Sequence, residues 1–147
     1  MEATNELESL LTEQLRNINE LNNRVESKEN EKQDLFKELA LGIIDIVDTF
    51  ERVEESFIEK GLDKQEEASK IINRYKTVQK KVLNLLNKHG ITKLEYPENK
   101  LIVGFSKIVD TEPDANKKND EIITVVRNGY IRGKELIREA ELIVVRN

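Results

Sequence analysis

The chain has no cysteine, no tryptophan, one histidine and two prolines in 147 residues. Without cysteine there is no disulfide, no thiolate nucleophile and no cysteine-ligated zinc. No run approaches the roughly 18 apolar residues of a membrane span, and the start is not the basic-then-apolar segment of a signal peptide. The expectation is a soluble, cytoplasmic protein. Charge of one sign is also missing: 24 basic and 29 acidic residues, net -5, are interspersed, so neither nucleic acid nor an anionic membrane is an expected partner. There is no GxxxxGK[ST] loop, no GxGxxG after a strand, no HExxH and no nucleophile elbow. The lone His89 belongs to the last turn of a helix, as a cap or packed residue. The sequence therefore reads as a binding protein, not an enzyme, with no cofactor and no metal.

What is present is charge and periodicity. Charged residues make up 36% and aromatics only 5%, the balance of a long solvated helix. Two series run at seven-residue spacing: Leu11, Ile18, Val25, Lys32, Leu39, Ile46, Val53, and Leu15, Asn22, Glu29, Phe36, Ile43, Phe50, Phe57. This is a coiled-coil seam. A helix from about Glu6 to Ile58 would be roughly 80 Å long, wider than any globule of this size. The economical cover for its stripe is a second copy of the same helix. Leu11, Ile18, Val25, Phe36, Leu39, Ile43, Ile46, Phe50, Val53 and Phe57 are the expected dimerisation residues. The stripe widens beyond Phe36 to include Leu35, Ile44 and Val47, as a bundle requires.

Gly61 offers a left-handed helix end, and Asp63 with Glu66 has capping-box spacing for a second helix. That helix carries Ala68, Ile71, Tyr75, Val78, Val82, Leu85 and His89 and stops at Gly90. Two helices from each of two chains would form a four-helix bundle. Beyond Gly90 the period changes to two. "ITKLEY", "KLIVGFSKIV" with a bulge at Gly104, and "EIITVV" read as strands, and "EPDANKKND" as a polar loop. Asn128-Gly129 reads as a two-residue hairpin turn with positive φ at both positions, and the terminal "KELIREAELIVV" as strand. The fold class expected is α+β: residues 1–60 a long dimerisation helix, 61–90 a second bundle helix, and 91–147 a small all-β domain.

Three stretches carry a family resemblance. "IIDIVDTFERV" resembles the pattern "LLPVLDNLERAL", with Asp48, Phe50, Glu51 and Arg52 in register and Asp45 where proline is frequent. "LLNKHGITKLEY" is similar to "L-x-K-x-G-V" followed by a strand. "GYIRGKELIREAELIVV" resembles "GYKLGDRVLRPAMVVV" without a gap, keeping Gly129, Tyr130, Gly133, Ile137, Arg138, Ala140 and Val144. In all three the chain resembles the GrpE family, the nucleotide exchange factors of DnaK-type chaperones. The resemblance implies a homodimer whose β-domain binds the chaperone's ATPase domain, opens its nucleotide cleft and releases ADP.

It also implies partner-binding positions: Arg138, Glu135, Val144, Leu101, Val103 and Arg24. Glu135 replaces the usual Arg, Leu101 and Ser106 stand for the Phe and His of the family's "FDPxxH", Val103 for its Pro, and Arg24 is what remains of an Arg-rich run. The Glu135 reversal keeps open an alternative, a coiled-coil adaptor of the same fold that lacks exchange activity. Without the resemblance, Arg138 reads as a solvated edge-strand arginine, and Val144, Leu101 and Val103 as core. Glu29 and Lys32 interrupt the seam: by themselves they read as a poorly filled stretch of coil, and the resemblance adds the expectation of a segment that unpairs on heating. Circular dichroism should show a reversible pre-transition below the main melt, absent from the Glu29→Leu/Lys32→Leu variant; one melt in both proteins would refute it.

Overall fold

A computed structural model describes residues 1–147 as two helices followed by six strands. Helix α1 spans Glu2–Glu59 and α2 spans Glu66–Lys88. The strands are β1 (Ile91–Lys93), β2 (Ser106–Glu112), β3 (Ile122–Arg127), β4 (Tyr130–Arg132), β5 (Glu135–Arg138) and β6 (Ala140–Val145). The long N-terminal helix, the second helix and the all-β region make the α+β class anticipated above. Contacts divide the chain at Leu39/Ala40 into two units.

In the first unit, Met1–Leu39, the helix exposes Leu11, Leu15, Ile18, Val25 and Leu39. In the second, α1 buries Ala40, Ile44 and Val47, which recur at four and three residues and so share one helical face. The seam residues lie beside this face: Ile46 is exposed, and Ile43, Phe50, Val53 and Phe57 are half-buried. The apolar surface is thus two adjoining stripes, the first covered by the chain and the seam covered in part.

Helix α2 repeats the arrangement. It buries Ile72 and Leu86 and exposes Ile71, Val78 and Leu85 at seven-residue spacing. The two helices meet through Tyr75, whose ring lies 4.5 Å from that of Phe50 and 6.1 Å from that of Phe57, and through the Lys76–Glu54 ion pair. The turn between them has Gly61 at φ 64°, left-handed as expected. The capping box does not form. Asp63 lies in a 3-10 turn over Leu62–Lys64, and extended Gln65 precedes α2 without a side-chain cap. Glu66 and Glu67 in the first turn complement the helix dipole instead.

The strands form two three-stranded sheets, ordered β1-β4-β5 and β2-β6-β3. β2 runs parallel to β6 and all other pairs are antiparallel. Leu94, Ile122, Ala140, Leu142 and Val144 form the β core, with Tyr96, Leu101, Phe105, Val125 and Ile131 packed around it. β6 is the central strand of its sheet, which is why its alternating residues Ala140, Leu142 and Val144 are all buried.

Three sequence expectations are corrected. "KLIVGFSKIV" is not one strand: Val103–Phe105 is a turn, with Gly104 at φ 85°, and β2 starts at Ser106. "ITKLEY" pairs only over Ile91–Lys93 before a 3-10 turn at Pro97–Asn99. Asn128-Gly129 is not a hairpin turn, because β3 and β4 belong to different sheets and neither residue has positive φ. The β4–β5 hairpin turns at Gly133 instead, with φ 61°.

Gly129 is required for a different reason. A Cβ there would lie 2.4 Å from Leu94 Cδ1 and 2.8 Å from the Ala140 backbone nitrogen, which is held by a 3.1 Å bond to the Phe105 carbonyl. Overpacking of this kind costs about 1–3 kcal/mol. Gly129→Ala should therefore lower the unfolding free energy by that amount, read as a lower denaturant midpoint at an unchanged m value, whereas Gly133→Ala should show only the smaller strain of a left-handed alanine.

Candidate functional site

Asp45, Asp48 and Glu51 recur every three residues along α1, which places their carboxylates on one strip of the helix. The β-region brings four complementary groups to that strip. Lys93, at the end of β1, pairs with Glu51. Asn128, in the link between the two sheets, donates to the other Glu51 oxygen at 2.9 Å. Arg127 at the end of β3 reaches Asp45 at 2.8 Å and Asp48 at 3.1 Å. Arg138 at the end of β5 grips both Asp48 oxygens, Nη1 at 2.7 Å and Nη2 at 2.8 Å.

Local irregularities aim these arginines. β3 slips register on β6 between Val125 and Arg127, and a bulge of this kind re-aims the residue beside it. Arg138 is cross-strand to Tyr130, and its guanidinium carbon lies 5.4 Å from that ring's centre, a cation–π contact. Its Nε and Nη2 also donate to the Asn128 carbonyl at 3.2 and 2.7 Å. The Arg138 side chain is 11% exposed and that of Asp48 15%. An ion pair in this setting is far less screened than the solvated Lys28–Glu31 pair on α1.

The electrostatics follow. Burial alone would push the Asp48 carboxyl up, but hydrogen bonds and charge from Arg138 and Arg127 outweigh it and hold the group below its ordinary 3.8. Burial, with Glu51 and Asp48 nearby, drives the Tyr130 hydroxyl well above its ordinary 10.0. Nothing here resembles a nucleophile with its base, and no three His, Cys, Asp or Glu side chains converge to hold a metal. What the arrangement does is hold a β-region against a helix.

The residues expected to bind a partner are dispersed over this frame. Val103 is 86% exposed on its turn, and Glu135 is exposed at the start of β5. Leu101 is half-buried against the β core. Val144 must be corrected: it is wholly buried on the central strand, and its side chain is a core group with no surface to offer. Arg138 is neither a solvated edge arginine nor a freely presented one, since its guanidinium is spent on α1 and the Asn128 carbonyl. Arg24 lies in the other unit, on a strip of α1 with Leu21, Val25, Lys28, Glu29 and Leu35.

Sequence reasoning missed Asp45, Lys93, Arg127 and Asn128 as a group, and noted Asp48 and Glu51 only as letters of a pattern. The available signal was the three-residue spacing of the carboxylates.

A family model described as GrpE matches residues 1–146. The Protein GrpE of Ehrlichia chaffeensis is 30% identical over 146 residues, covering 97% of this chain and 72% of that protein. The Protein GrpE of Alkaliphilus oremlandii is 27% identical over 143 residues, covering 95% and 73%. That of Ehrlichia canis is 35% identical over 65 residues, covering 44% and 33%.

Because Asp48 sits below its unfolded-state value, its contribution to stability is complete above that value and disappears as pH falls through the folded one. The tyrosine near-ultraviolet dichroism should therefore hold from neutrality to about pH 5 and decline below about pH 4. In Asp48→Asn the Asp48-dependent part of that decline should be missing; an identical acid profile in both proteins would show that this carboxylate is not involved.

Proposed function

The chain belongs to the GrpE family, and from that premise we propose that it binds the ATPase domain of a DnaK-type chaperone and promotes ADP release. The observation that carries this reading is the match over residues 1–146, which takes in both helices and all six strands. At the level of the family, this is a nucleotide-exchange co-chaperone. The finer mechanism rests on binding energetics. A partner that prefers the open nucleotide cleft shifts the population toward it, and linkage requires ADP affinity to fall by the same factor.

Two surfaces support the reading. The apolar stripe left open beside the internal contacts, with Ile46 on α1 and Ile71, Val78 and Leu85 on α2, suits a second copy of the chain, giving a four-helix bundle in a homodimer. The Val103–Phe105 turn projects an apolar side chain next to half-buried Leu101, which suits docking on the chaperone, with Glu135 on β5 as a charged contributor. No helix is long and apolar enough to cross a membrane.

Stopped-flow release of a fluorescent ADP analogue from the DnaK-type chaperone of the same cell tests the proposal. Acceleration that saturates with added protein is the expected result. Val103→Asp should raise the concentration for half-maximal effect by about tenfold, the equivalent of roughly 1.4 kcal/mol at a contact. Binding without acceleration at saturation would leave the adaptor reading that the Glu135 reversal suggests, and would end the exchange-factor one.

A further inference from the structure

Arg138 is the point at which three parts of the fold converge. Its guanidinium spans both oxygens of Asp48, reaches Asp45 at 3.4 Å, caps the Asn128 carbonyl and lies over the Tyr130 ring. Asp48 belongs to α1, Asn128 to the link between the two sheets, and Tyr130 to β4. A rotation of the β-region about α1 has to break the bidentate pair and uncover two charges that are largely shielded from water. We infer that Asp48 and Arg138 are positioning residues: together they fix the stance of the β-region on α1, and that stance sets how effectively it acts on the partner. This inference rests on the exchange reading above and specifies the residues that govern it.

The physical basis is preorganisation. A module held at one angle before encounter loses less orientational freedom on binding than one that swings on a loose link, and pressure against a flexible cleft needs a fixed support. The β core of Leu94, Ile122, Ala140, Leu142 and Val144 includes neither member of the pair. Stance and folding of the β-region are therefore separable. Bidentate geometry also makes the contact directional in a way that a lysine could not reproduce. Lys93 grips Glu51 to one side, and Arg127 bridges Asp45 and Asp48 to the other, so both limit tilting around the central pair.

The experiment uses full-length protein and the variants Asp48→Asn and Arg138→Lys. The chain has no cysteine, so Glu55→Cys and Val109→Cys accept a single spin-label pair, one label on α1 and one on β2, in samples diluted with unlabelled protein. The expected result is a narrow distance distribution in the parent that broadens in both variants. Maximal ADP-release acceleration should fall by about tenfold in both variants, within the roughly 5–150-fold range of coupling between sites. β6 amides should remain the slowest to exchange in every variant, lowered at most by the stability the pair itself contributes. Unbroadened distances in the single variants would overturn the inference, as would loss of β6 protection in step with activity, which would mark the pair as simply stabilising. A parent protein that accelerates nothing would instead refute the exchange reading, and the distance measurements would still decide whether the pair sets the stance.

Discussion

The guanidinium of Arg138 against the carboxylate of Asp48 is the interaction on which the arrangement of the β-region turns. Each group is charged, each is largely removed from water, and neither is tolerable there without the other, because an unpaired buried ion costs far more than the pair yields. Two parallel N–H···O bonds fix a plane as well as a distance. The remaining contacts are arranged around that plane: Arg127 to one side, Lys93 and Asn128 to the other, and the Tyr130 ring beneath.

That constraint explains features that look unrelated along the chain. The bulge before Arg127 aims its side chain at Asp45 and Asp48. Gly129 must lack a Cβ because the link carrying the Asn128 carbonyl passes close against Leu94 and Ala140. Tyr130 is buried because it supports the guanidinium from below, at the cost of a hydroxyl that pairs with no protein group. The helices solve a separate problem. α1 buries one apolar face within the chain and also lends Phe50 and Phe57 of its seam to Tyr75 of α2. Ile46 on α1 and Ile71, Val78 and Leu85 on α2 stay exposed, and these positions are what makes the proposed dimer physically reasonable.

Much of the fold was legible because helical periodicity and turn chemistry are local. The seven-residue spacing from Leu11 to Phe57, the left-handed glycine at position 61 and the change to strand texture after Gly90 all have counterparts in the structure. Reading went wrong where two explanations share one signal. Asn-Gly is the commonest mark of a tight hairpin, yet here the glycine answers to crowding and the chain passes between sheets. Asp63 with Glu66 has the spacing of a capping box, but a 3-10 turn takes up Asp63 first.

The candidate site was less legible. Pattern matching pointed at Arg138 and recorded Asp48 and Glu51, but could not say that Arg138 closes onto Asp48 across 90 residues of sequence. It also credited Val144 with a surface role that the central strand denies it. By itself the sequence determined the two helices, the change to strands after Gly90, the apolar stripes and the family, because each is written in residues close together or in order along the chain. Only the tertiary structure decided which stripe is covered, which strand is central and which charges meet, because these depend on long-range pairing that no local period encodes.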